Sequence, residues 1–348
     1  NCCNCGAKLN GNSYMTDIRT ICAVVLVALI MGCMEPVTEN LWTLNKIAQM
    51  ETEGYCRDVF ISGDSVFIAA GQAGVQLWDI SSITAPMKVW EMTLSNLGAT
   101  KEITQVEYEA SIRQLFALES NERPIHIDLS QGDSAIVLGQ FSSERTKEFR
   151  VITNSSSSFT VYAADNDDGL KWSRFDYDPG FGLWLNSAGD EISSQGNPNG
   201  IDIFGYDIVL TLDQLGIESF HNNEGIISSS FHMDLDGNAR AVTIIDGDEC
   251  YIACEDGGAY RLSPGFSSQW EFMVQFAQDL FVTHINAYRH QLVLSCASNG
   301  LALYEAKQSG SVEERGIHDI GYVYHTEFSN GYLFAATREG LQIFKIVE

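Results

Sequence analysis

The sequence is poor in basic residues. It contains 20 Lys and Arg against 46 Asp and Glu, which gives a formal net charge of -26. A surface of this charge repels nucleic-acid phosphates and anionic lipid headgroups, and it attracts cations or basic partners. We therefore exclude a protein that binds DNA or RNA.

The sequence motifs of common catalytic centres are also missing. The 7 His residues show no H-x-x-H, H-E-x-x-H or Cys-His spacing, so the sequence gives no support to a metalloenzyme. It has no G-x-S-x-G elbow, no Gly-rich phosphate loop and no set of kinase motifs. Sequence motifs therefore predict no catalytic residue.

Cysteines are scarce beyond residue 33. The four that follow, Cys56, Cys250, Cys254 and Cys296, are too few for a disulfide framework in a chain of 348 residues. Cys250 and Cys254 lie on one predicted strand, about 13 Å apart, which is too far for a bridge. We expect each of the four to be a small buried hydrophobic residue.

The apolar run at residues 20–31, TICAVVLVALIM, is short for a membrane-spanning helix, which needs about 20 apolar residues. Its length and the preceding Arg19 are typical of the apolar region of a signal peptide. Met15 would be the natural start of such a segment. Residues 15–32 are therefore predicted to be a signal peptide.

The apolar run ends in the sequence IMGC at residues 30–33, which resembles the lipobox of bacterial lipoproteins. The Met at the second place departs from the commonest form of that motif. The resemblance implies cleavage before Cys33, lipidation of this cysteine, and a short linker up to residue 40. The Met and Glu that follow resemble the sorting signal of outer-membrane lipoproteins in cells with two membranes. We expect an extracytoplasmic protein held at the cell envelope by a lipid.

Residues 1–14 allow a second topology. The sequence begins without Met, so this segment is either part of a longer protein or an over-extended reading frame. Cys2 and Cys5, followed by GAKL, resemble one knuckle of a zinc ribbon, whose structural zinc site needs four thiolates. The alternative is a cytosolic zinc ribbon, a single-span anchor and an external domain. Both topologies place the residues after Cys33 outside the cytoplasm.

Residues 54–92 read as four short strands separated by turns. Apolar and β-branched residues cluster in four runs, and Gly and Pro residues lie between the runs. The runs are 56–61, 66–70, 75–80 and 87–92. Four short strands in succession are typical of one blade of a β-propeller.

This unit recurs along the chain. A Gly that opens the third strand returns at intervals of 40 to 49 residues, with Arg-Pro in its place in the second unit. The anchors are Gly74, Arg123-Pro124, Gly169, Gly216, Gly258, Gly300 and Gly340. The turn between the first two strands gives an independent check. Its residues stand at a nearly constant distance before the anchors, at Gly63, Gly205, Gly247 and Asn330-Gly331. The anchors and the turns together predict seven blades within residues 41–348.

The two ends of this region are predicted to share the last blade. Residues 41–50 look like an outer fourth strand with no first three before it, and the sequence ends on a third strand. Pairing the two would satisfy the hydrogen bonds of an open sheet edge. The predicted fold is therefore all-β, a seven-bladed β-propeller whose ring closes by pairing an N-terminal outer strand with the last blade.

The first blade resembles the repeat of bacterial LVIVD-repeat proteins. The similarity lies in Gly54-Tyr55, Asp58-Val59, the turn glycines and the sequence VQLWDIS at residues 75–81, and it is weaker in blades two and four. The resemblance implies an exported propeller at the cell surface. It carries over no catalytic residues.

The sequence AADNDDG at residues 163–169 resembles a cation-binding loop. Asp165, Asp167 and Asp168 are hard oxygen donors of the kind that calcium prefers. The same segment is also the predicted turn between two strands, where Asp and Gly serve the turn geometry. We predict no metal or other cofactor, and these three residues are weak candidates for calcium.

First strands line the central channel of a propeller, and several of them carry polar residues here. The candidates are Arg57, Asp58, Gln105, Arg150, Asp202, His284 and His325. Such a ring of polar groups could hold a ligand or a catalytic site, although propeller channels are also simply filled with water.

Two connections, at about 176–200 and 220–240, are predicted to be long loops, and exposed aromatic residues on such loops mark binding surfaces. The first loop carries Tyr177, Phe181 and Trp184. We expect these residues to share one acidic rim with the turns between second and third strands. Those turns contribute Asp165, Asp167, Asp168, Glu255, Asp256 and Glu339.

Together these features predict a non-catalytic surface or envelope lipoprotein. Its propeller, a monomer, would bind a protein or glycan partner or serve as an assembly scaffold, since the fold alone does not fix a function. The alternative is a propeller enzyme, a cation-assisted hydrolase or lyase, with its site at the central channel.

Overall fold

The computed structural model describes residues 41–130, 135–141, 143–223, 225–245, 247–265 and 269–348. Within these ranges the strands form seven four-stranded antiparallel sheets. The sheets are the blades of a seven-bladed β-propeller, so the predicted all-β fold is confirmed.

The strands are numbered along the chain, beginning with β1 (Thr43–Met50). Blade one contains β2 (Asp58–Ser62), β3 (Ser65–Ala69), β4 (Val75–Asp79) and β5 (Met87–Met92), and a short helix, Leu94–Leu97, follows it. Blade two contains β6 (Ile103–Glu109), β7 (Gln114–Glu119), β8 (Pro124–Asp128) and β9 (Ile136–Gln140). Blade three contains β10 (Thr146–Ser155), β11 (Ser158–Asp165), β12 (Gly169–Asp178) and β13 (Leu183–Ile192).

Blade four contains β14 (Gly200–Phe204), β15 (Asp207–Thr211), β16 (Ile217–Asn223) and β17 (Ile226–Met233). Blade five contains β18 (Ala241–Ile245), β19 (Glu249–Ala253), β20 (Ala259–Pro264) and β21 (Trp270–Phe276). Blade six contains β22 (His284–Tyr288), β23 (Gln291–Ser295), β24 (Leu301–Ala306) and β25 (Val312–His318). Blade seven contains β26 (Val323–Ser329), β27 (Tyr332–Thr337), β28 (Gly340–Val347) and β1.

The ring of blades is continuous. Each inner strand, which is the first strand of its blade, contacts the inner strands of both neighbouring blades, and β2 contacts β26. The outer strand β1 pairs antiparallel with β28, from Thr43 opposite Val347 to Met50 opposite Leu341. The last blade therefore takes one strand from the N-terminal side of the propeller and three from its C-terminal side.

A separate hydrophobic cluster fills each interface between neighbouring blades. The described residues contain seven such clusters, and each combines side chains from two adjacent blades. Between blades one and two, for example, the ring centroids of Phe67 and Tyr108 lie 4.4 Å apart. Strand side chains alternate between two faces, so each blade buries one face against each neighbour. The hydrophobic effect therefore holds the ring together interface by interface.

The anchor glycines of the repeat have a shared geometric cause. Gly74 has φ of 91°, and a Cβ atom there would overlap the carbonyl oxygen of Met92 at the end of the outer strand. Gly340, with φ of 105°, makes the same approach to Met50. Only Gly combines this backbone conformation with this closeness. Four further anchors share both properties: Gly169, Gly216, Gly258 and Gly300.

The four cysteines of the propeller are free and buried, as predicted. Cys250 and Cys254 form no bridge. Burial raises the pKa of the Cys296 thiol to about 12, so this thiol is protonated at neutral pH. The cysteines act as small apolar residues of the blade interfaces.

The two connections predicted as long loops are instead hairpins, and that prediction is wrong. The first consists of β12 and β13, which run antiparallel and pair Asp178 with Leu183 beside the turn. The second consists of β16 and β17. The outer strand β13 contains Asn, Ser, Gly and Asp because most of its side chains face solvent. Such a strand lacks the apolar alternation by which strands are recognised in a sequence.

Candidate functional site

The inner strands surround a central cavity of about 590 Å³. Side chains alternate along a strand, so the residues on both sides of a buried middle residue point into this channel. In β2 the middle residue is Val59, and Asp58 and Phe60 line the cavity on its two sides. The other six inner strands repeat this arrangement.

The repeat produces two rings of residues around the channel. Ring one consists of Asp58, Gln105, Glu148, Gly200, Ala241, His284 and His325. Ring two consists of Phe60, Glu107, Arg150, Asp202, Thr243, Asn286 and Glu327. All of these except Gly200 line the cavity. The structure therefore brings together six of the predicted channel residues in the two rings, and the seventh, Arg57, lies beside them.

Carboxylates of the rings bind the backbone of the next inner strand. Oδ2 of Asp58 accepts a hydrogen bond from the N–H of Val106 at 2.9 Å. Oδ2 of Asp202 accepts one from the N–H of Ile244 at 2.7 Å. Each contact satisfies a backbone donor that the separate sheets of two blades leave unpaired. These side chains therefore fasten neighbouring blades at the axis.

Other polar residues make the same kind of contact elsewhere in the ring. Gln105 accepts from the N–H of Phe149 at 3.0 Å and donates to its carbonyl oxygen at 2.9 Å. Oε1 of Glu107 accepts from the N–H of Val151 at 2.9 Å. Further contacts join Glu148 to Ile201, Thr243 to Ile285 and Asn286 to Thr326. Much of the polarity of the channel thus serves the assembly of the blades.

Arg150 is the central cation of the two rings. Its Nη1 lies 2.9 Å from Oε1 of Glu148, and its Nε lies 3.1 Å from Oδ1 of Asp202. Burial raises the pKa of Glu148, although the positive charge of Arg150 opposes the rise. Burial also raises the pKa of Glu107 to about 8, so that this carboxyl is mostly protonated at neutral pH. The channel therefore holds both charged and neutral carboxyl groups.

His284 and His325 lie side by side in ring one, with ring centroids 3.9 Å apart. Burial lowers the pKa of His284, and the positive charges of His325 and Arg150 lower it further. Burial opposes protonation of His325 as well, but Asp58, whose Oδ1 lies 3.0 Å from Nδ1, raises its pKa overall. Asp58 therefore favours protonation of His325, whereas burial disfavours protonation of the neighbouring His284.

Arg57 lies at the mouth of the channel. Its guanidinium binds Glu102 through two nitrogen atoms, at distances of 2.6 to 2.9 Å. It also stacks 4.3 Å from the ring centroid of Tyr324. Arg57 is thus engaged with residues on both sides of its blade, next to blade two and in blade seven.

Sequence reasoning missed five polar residues of the two rings: Glu107, Glu148, Thr243, Asn286 and Glu327. Four of them lie two positions from a residue that was predicted, on the same strand. The period of two that places side chains on one face of a strand would have found those four. Thr243 lies two positions from Ala241, which carries no polar signal.

The acidic turn of blade three is fully engaged in protein contacts. Oδ2 of the buried Asp165 accepts from Ser143 Oγ at 2.6 Å, and Oδ1 accepts from the N–H of Asp167 at 3.1 Å. Asp167 pairs with Arg145 at 2.9 Å, and Asp168 pairs with Lys171. In the parts of the chain that the structure describes, no group of three or more His, Cys, Asp or Glu is placed to hold a metal ion.

The predicted acidic rim is assembled only in part. Asp165, Asp167, Asp168, Glu255, Asp256 and Glu339 all lie where second strands meet third strands, on one face of the ring. Tyr177, Phe181 and Trp184 lie near the turn between third and fourth strands, at the other end of β12. A strand of ten residues places the two ends about 30 Å apart. The prediction of one shared rim is therefore wrong.

The tip of the β12–β13 hairpin, residues 177–185, is called the blade-three tip below. Phe181 is 75% exposed, and Tyr177, Leu183 and Leu185 are also exposed. Trp184 differs, because its ring packs 4.9 Å from that of Phe159 at the interface with blade two. The blade-three tip therefore presents an apolar surface anchored by one partly buried Trp.

The predicted lipidation site Cys33 lies outside the described residues, as do the predicted signal peptide and the upstream segment. Among the described residues, no helix has the length and apolarity that a membrane crossing requires.

Comparison with known proteins shows that this chain is similar to several solved structures in fold. No protein-family model matches the chain, and no curated protein matches it. The computationally designed Ika8 protein is 11% identical, with a TM-score of 0.59 over 87% of this chain and 99% of that chain. Sqt1 of Saccharomyces cerevisiae is 12% identical, with a TM-score of 0.64 over 88% of this chain and 99% of that chain.

The WD40 repeats of RRP9 are similar in the same way. They are 9% identical, with a TM-score of 0.65 over 88% of this chain and 100% of that chain. At such identities the similarity concerns the fold alone. The chain therefore has the β-propeller fold that is also found in WD40-repeat structures.

Proposed function

We propose that this chain is a non-catalytic binding and assembly scaffold, held at the cell envelope by a lipid on Cys33. A propeller offers a rigid frame for exposed turns and hairpins, and binding residues concentrate on such segments. The fold of the WD40 repeats of RRP9 agrees with a scaffold role. Because a fold hosts many functions, the proposal depends on a site, and the observation that carries it is the exposed blade-three tip.

The blade-three tip has the features of a protein contact. It projects on two strands of ten residues each. Its exposed side chains are large and apolar, and grouped residues of this type mark interaction surfaces. Asp178 at the same tip favours a protein partner with a basic residue at its rim. The exposed set is Tyr177, Phe181, Leu183 and Leu185.

The contacts in the channel also support a scaffold. Asp58, Gln105 and Asp202 hold neighbouring blades together through backbone hydrogen bonds. Holding blades together is enough to explain why these side chains are polar and face the channel, so a catalytic role is not needed to account for them.

Replacing both Phe181 and Leu183 with Ser is expected to abolish partner capture. Loss of two central apolar contacts costs roughly 2 kcal/mol each, and each 1.4 kcal/mol lowers affinity about tenfold. The measurement is affinity capture of the tagged full chain from detergent-solubilised envelope of its own cell, read by quantitative mass spectrometry. The substituted residues are exposed, so circular dichroism and the melting temperature should stay those of the wild type.

The matched control replaces Met87 and Val89 with Ser. These residues are 64% and 57% exposed on the outer strand of blade one. A partner lost with the tip variant and kept with the control would place the interface on blade three. Equal recovery of every envelope protein by both variants would reject the blade-three tip as the contact.

The proposal also includes the resemblance to LVIVD-repeat proteins and the lipid anchor on Cys33. The LVIVD-like first blade and the lipobox-like residues 30–33 support an exported lipoprotein. Replacing Cys33 with Ser is expected to abolish incorporation of labelled palmitate and to release the chain from the membrane fraction, because the lipid requires that thiol. Replacing Cys22 with Ser is the control and should preserve both. Undiminished labelling of the Cys33→Ser variant would contradict the anchor.

A further inference from the structure

The mouth of the central channel differs in charge from the molecule as a whole. The residues directly before ring one are called the mouth ring, and all seven line the cavity: Arg57, Thr104, Lys147, Asn199, Arg240, Thr283 and Tyr324. They include three cations and no carboxylate, in a chain with 20 basic and 46 acidic residues. The acidic turns between second and third strands lie on the same face of the ring, so the positive charge that an entering molecule meets is confined to the mouth itself.

Two of these cations are left without an acidic partner within the described ranges. Arg57 is paired with Glu102. Lys147 donates to the amide oxygen of Asn121 at 2.6 Å, and neither Lys147 nor Arg240 has a described carboxylate at ion-pair distance. Burial lowers the pKa of Lys147, the charges of Arg240 and Arg145 lower it further, and the charge of Asp167 opposes the shift. An anion between Lys147 and Arg240 would relieve this repulsion.

Two polar atoms deeper in the same cavity are available to a ligand. His284 is 9% exposed, and its Nδ1 has no hydrogen-bond partner among the described residues. Oε2 of Glu107 likewise has none, whereas Oε1 is held by the N–H of Val151. Buried polar atoms are nearly always satisfied by protein, water or a ligand. These two atoms are a second observation, separate from the cations at the mouth, and both belong to residues that line the same cavity.

The carboxyl groups of the rings do not exclude an anion from the mouth. Asp58 faces His325, while Glu148 and Asp202 share Arg150. Burial raises the pKa of Glu107 to about 8, so at neutral pH its O–H is able to donate a hydrogen bond. Burial also raises the pKa of Glu327, which accepts from Asn286 at 3.0 Å.

We propose that the central channel binds a small polyhydroxylated anion, with its carboxylate or phosphate between Lys147 and Arg240 and its hydroxyl groups directed to Glu107 and His284. A cavity of about 590 Å³ has room for a molecule the size of a monosaccharide. The mouth ring lies at the start of the inner strands, on the face opposite the blade-three tip. This site is therefore separate from the proposed protein contact, and either can fail without the other.

The test is calorimetric titration of the purified full chain in detergent with four matched probes. Glucuronate and glucose 6-phosphate carry the anion, glucose is neutral, and glucosamine is cationic. The anionic probes are expected to bind at least about tenfold more tightly than glucose or glucosamine, because charge-assisted contacts add to the shared hydroxyl contacts. Binding by one anionic probe alone supports the site and identifies carboxylate or phosphate as its preferred group.

Three variants locate the binding. Replacing both Lys147 and Arg240 with Gln is expected to weaken the anionic probes about tenfold or more and to leave glucose unchanged. Replacing Lys88 and Lys101 with Gln, an equal change of charge at exposed ion pairs, should have no effect. His284→Gln should weaken binding with the mouth intact. The proposal is overturned if neither anion binds at millimolar concentration, if glucose binds equally well, or if the mouth variant binds like the control.

Discussion

Replacing Asp202 with Ala is expected to lower the free energy of unfolding by about 2 kcal/mol, because it breaks a partly buried charged network between two blades. Asp202 accepts from the backbone N–H of Ile244 and also pairs with Nε of Arg150. Its removal leaves a backbone donor of blade five and part of a partly buried guanidinium without a protein partner. The cost is larger than that of an exposed ion pair, since the lost carboxylate binds a backbone N–H and a guanidinium at once.

Two further variants test whether the loss of stability comes from the contacts of Asp202 or from substitution in general. Asp202→Asn keeps the size of the side chain and one amide oxygen, so it should recover part of the loss by keeping one acceptor. Asp190→Ala removes an exposed carboxylate from an outer strand and should change the unfolding free energy by less than about 0.5 kcal/mol. Chemical denaturation followed by circular dichroism measures all three. An Asp202→Ala variant as stable as Asp190→Ala would show that the inter-blade contact does not contribute to stability.

The blades could be predicted from the sequence because their turns impose strict conditions. Gly74 and Gly340 stand where a positive φ and a close carbonyl oxygen exclude any side chain, so the pattern returns in nearly every blade. Blade two has Arg-Pro at the equivalent place, and there the repeat is harder to follow. The outer strand β13 could not be predicted, because a strand exposed to water on both faces needs no apolar alternation.

The channel was predicted less completely than the fold. Polar residues such as Asp58 and His325 were found because they stand on first strands, but their roles depend on distant partners. Asp58 binds a backbone N–H 48 residues away in the next blade, and His325 binds Asp58 itself across the junction of the last and first blades. Sequence spacing does not state which backbone N–H a carboxylate will reach. The lack of a carboxylate partner for Lys147 and Arg240 among the described residues is equally invisible, because it depends on which side chains of other blades fail to meet them.

A second large effect is expected from pH. Burial raises the pKa of Glu107 from its ordinary value of 4.5 to about 8; Asp202 and Asp58 add to the rise, and Arg150 and the N–H of Val151 oppose it. A group with a raised pKa in the folded state contributes stability below its unfolded pKa and loses it as pH rises through the folded pKa. The propeller should therefore lose stability between about pH 5 and pH 8.

Other channel groups change the size of this loss. Glu148 and Glu327 have pKa values raised by burial, and His325 has one raised by Asp58 against the effect of burial, so all three act in the same direction as Glu107. The lowered pKa of His284 acts in the opposite direction, with stability lost as pH falls below 6.5. Stability is expected to be greatest in mildly acid solution. There the buried carboxyls are protonated, and the pH is not yet low enough for the lowered pKa of His284 to reduce the unfolding free energy much.

The Glu107→Gln variant isolates the largest of these contributions. Gln keeps an oxygen for the N–H of Val151 and a donor toward the cavity, but it does not ionise. Between about pH 5.5 and pH 8.5, the unfolding free energy of the variant should gain about 3 kcal/mol relative to the wild type. Glu51→Gln makes the same change of side chain at an exposed position outside the channel, and it should follow the wild-type profile. Parallel profiles of wild type and Glu107→Gln would mean that Glu107 ionises normally, and the channel would then be far more hydrated than its packing indicates.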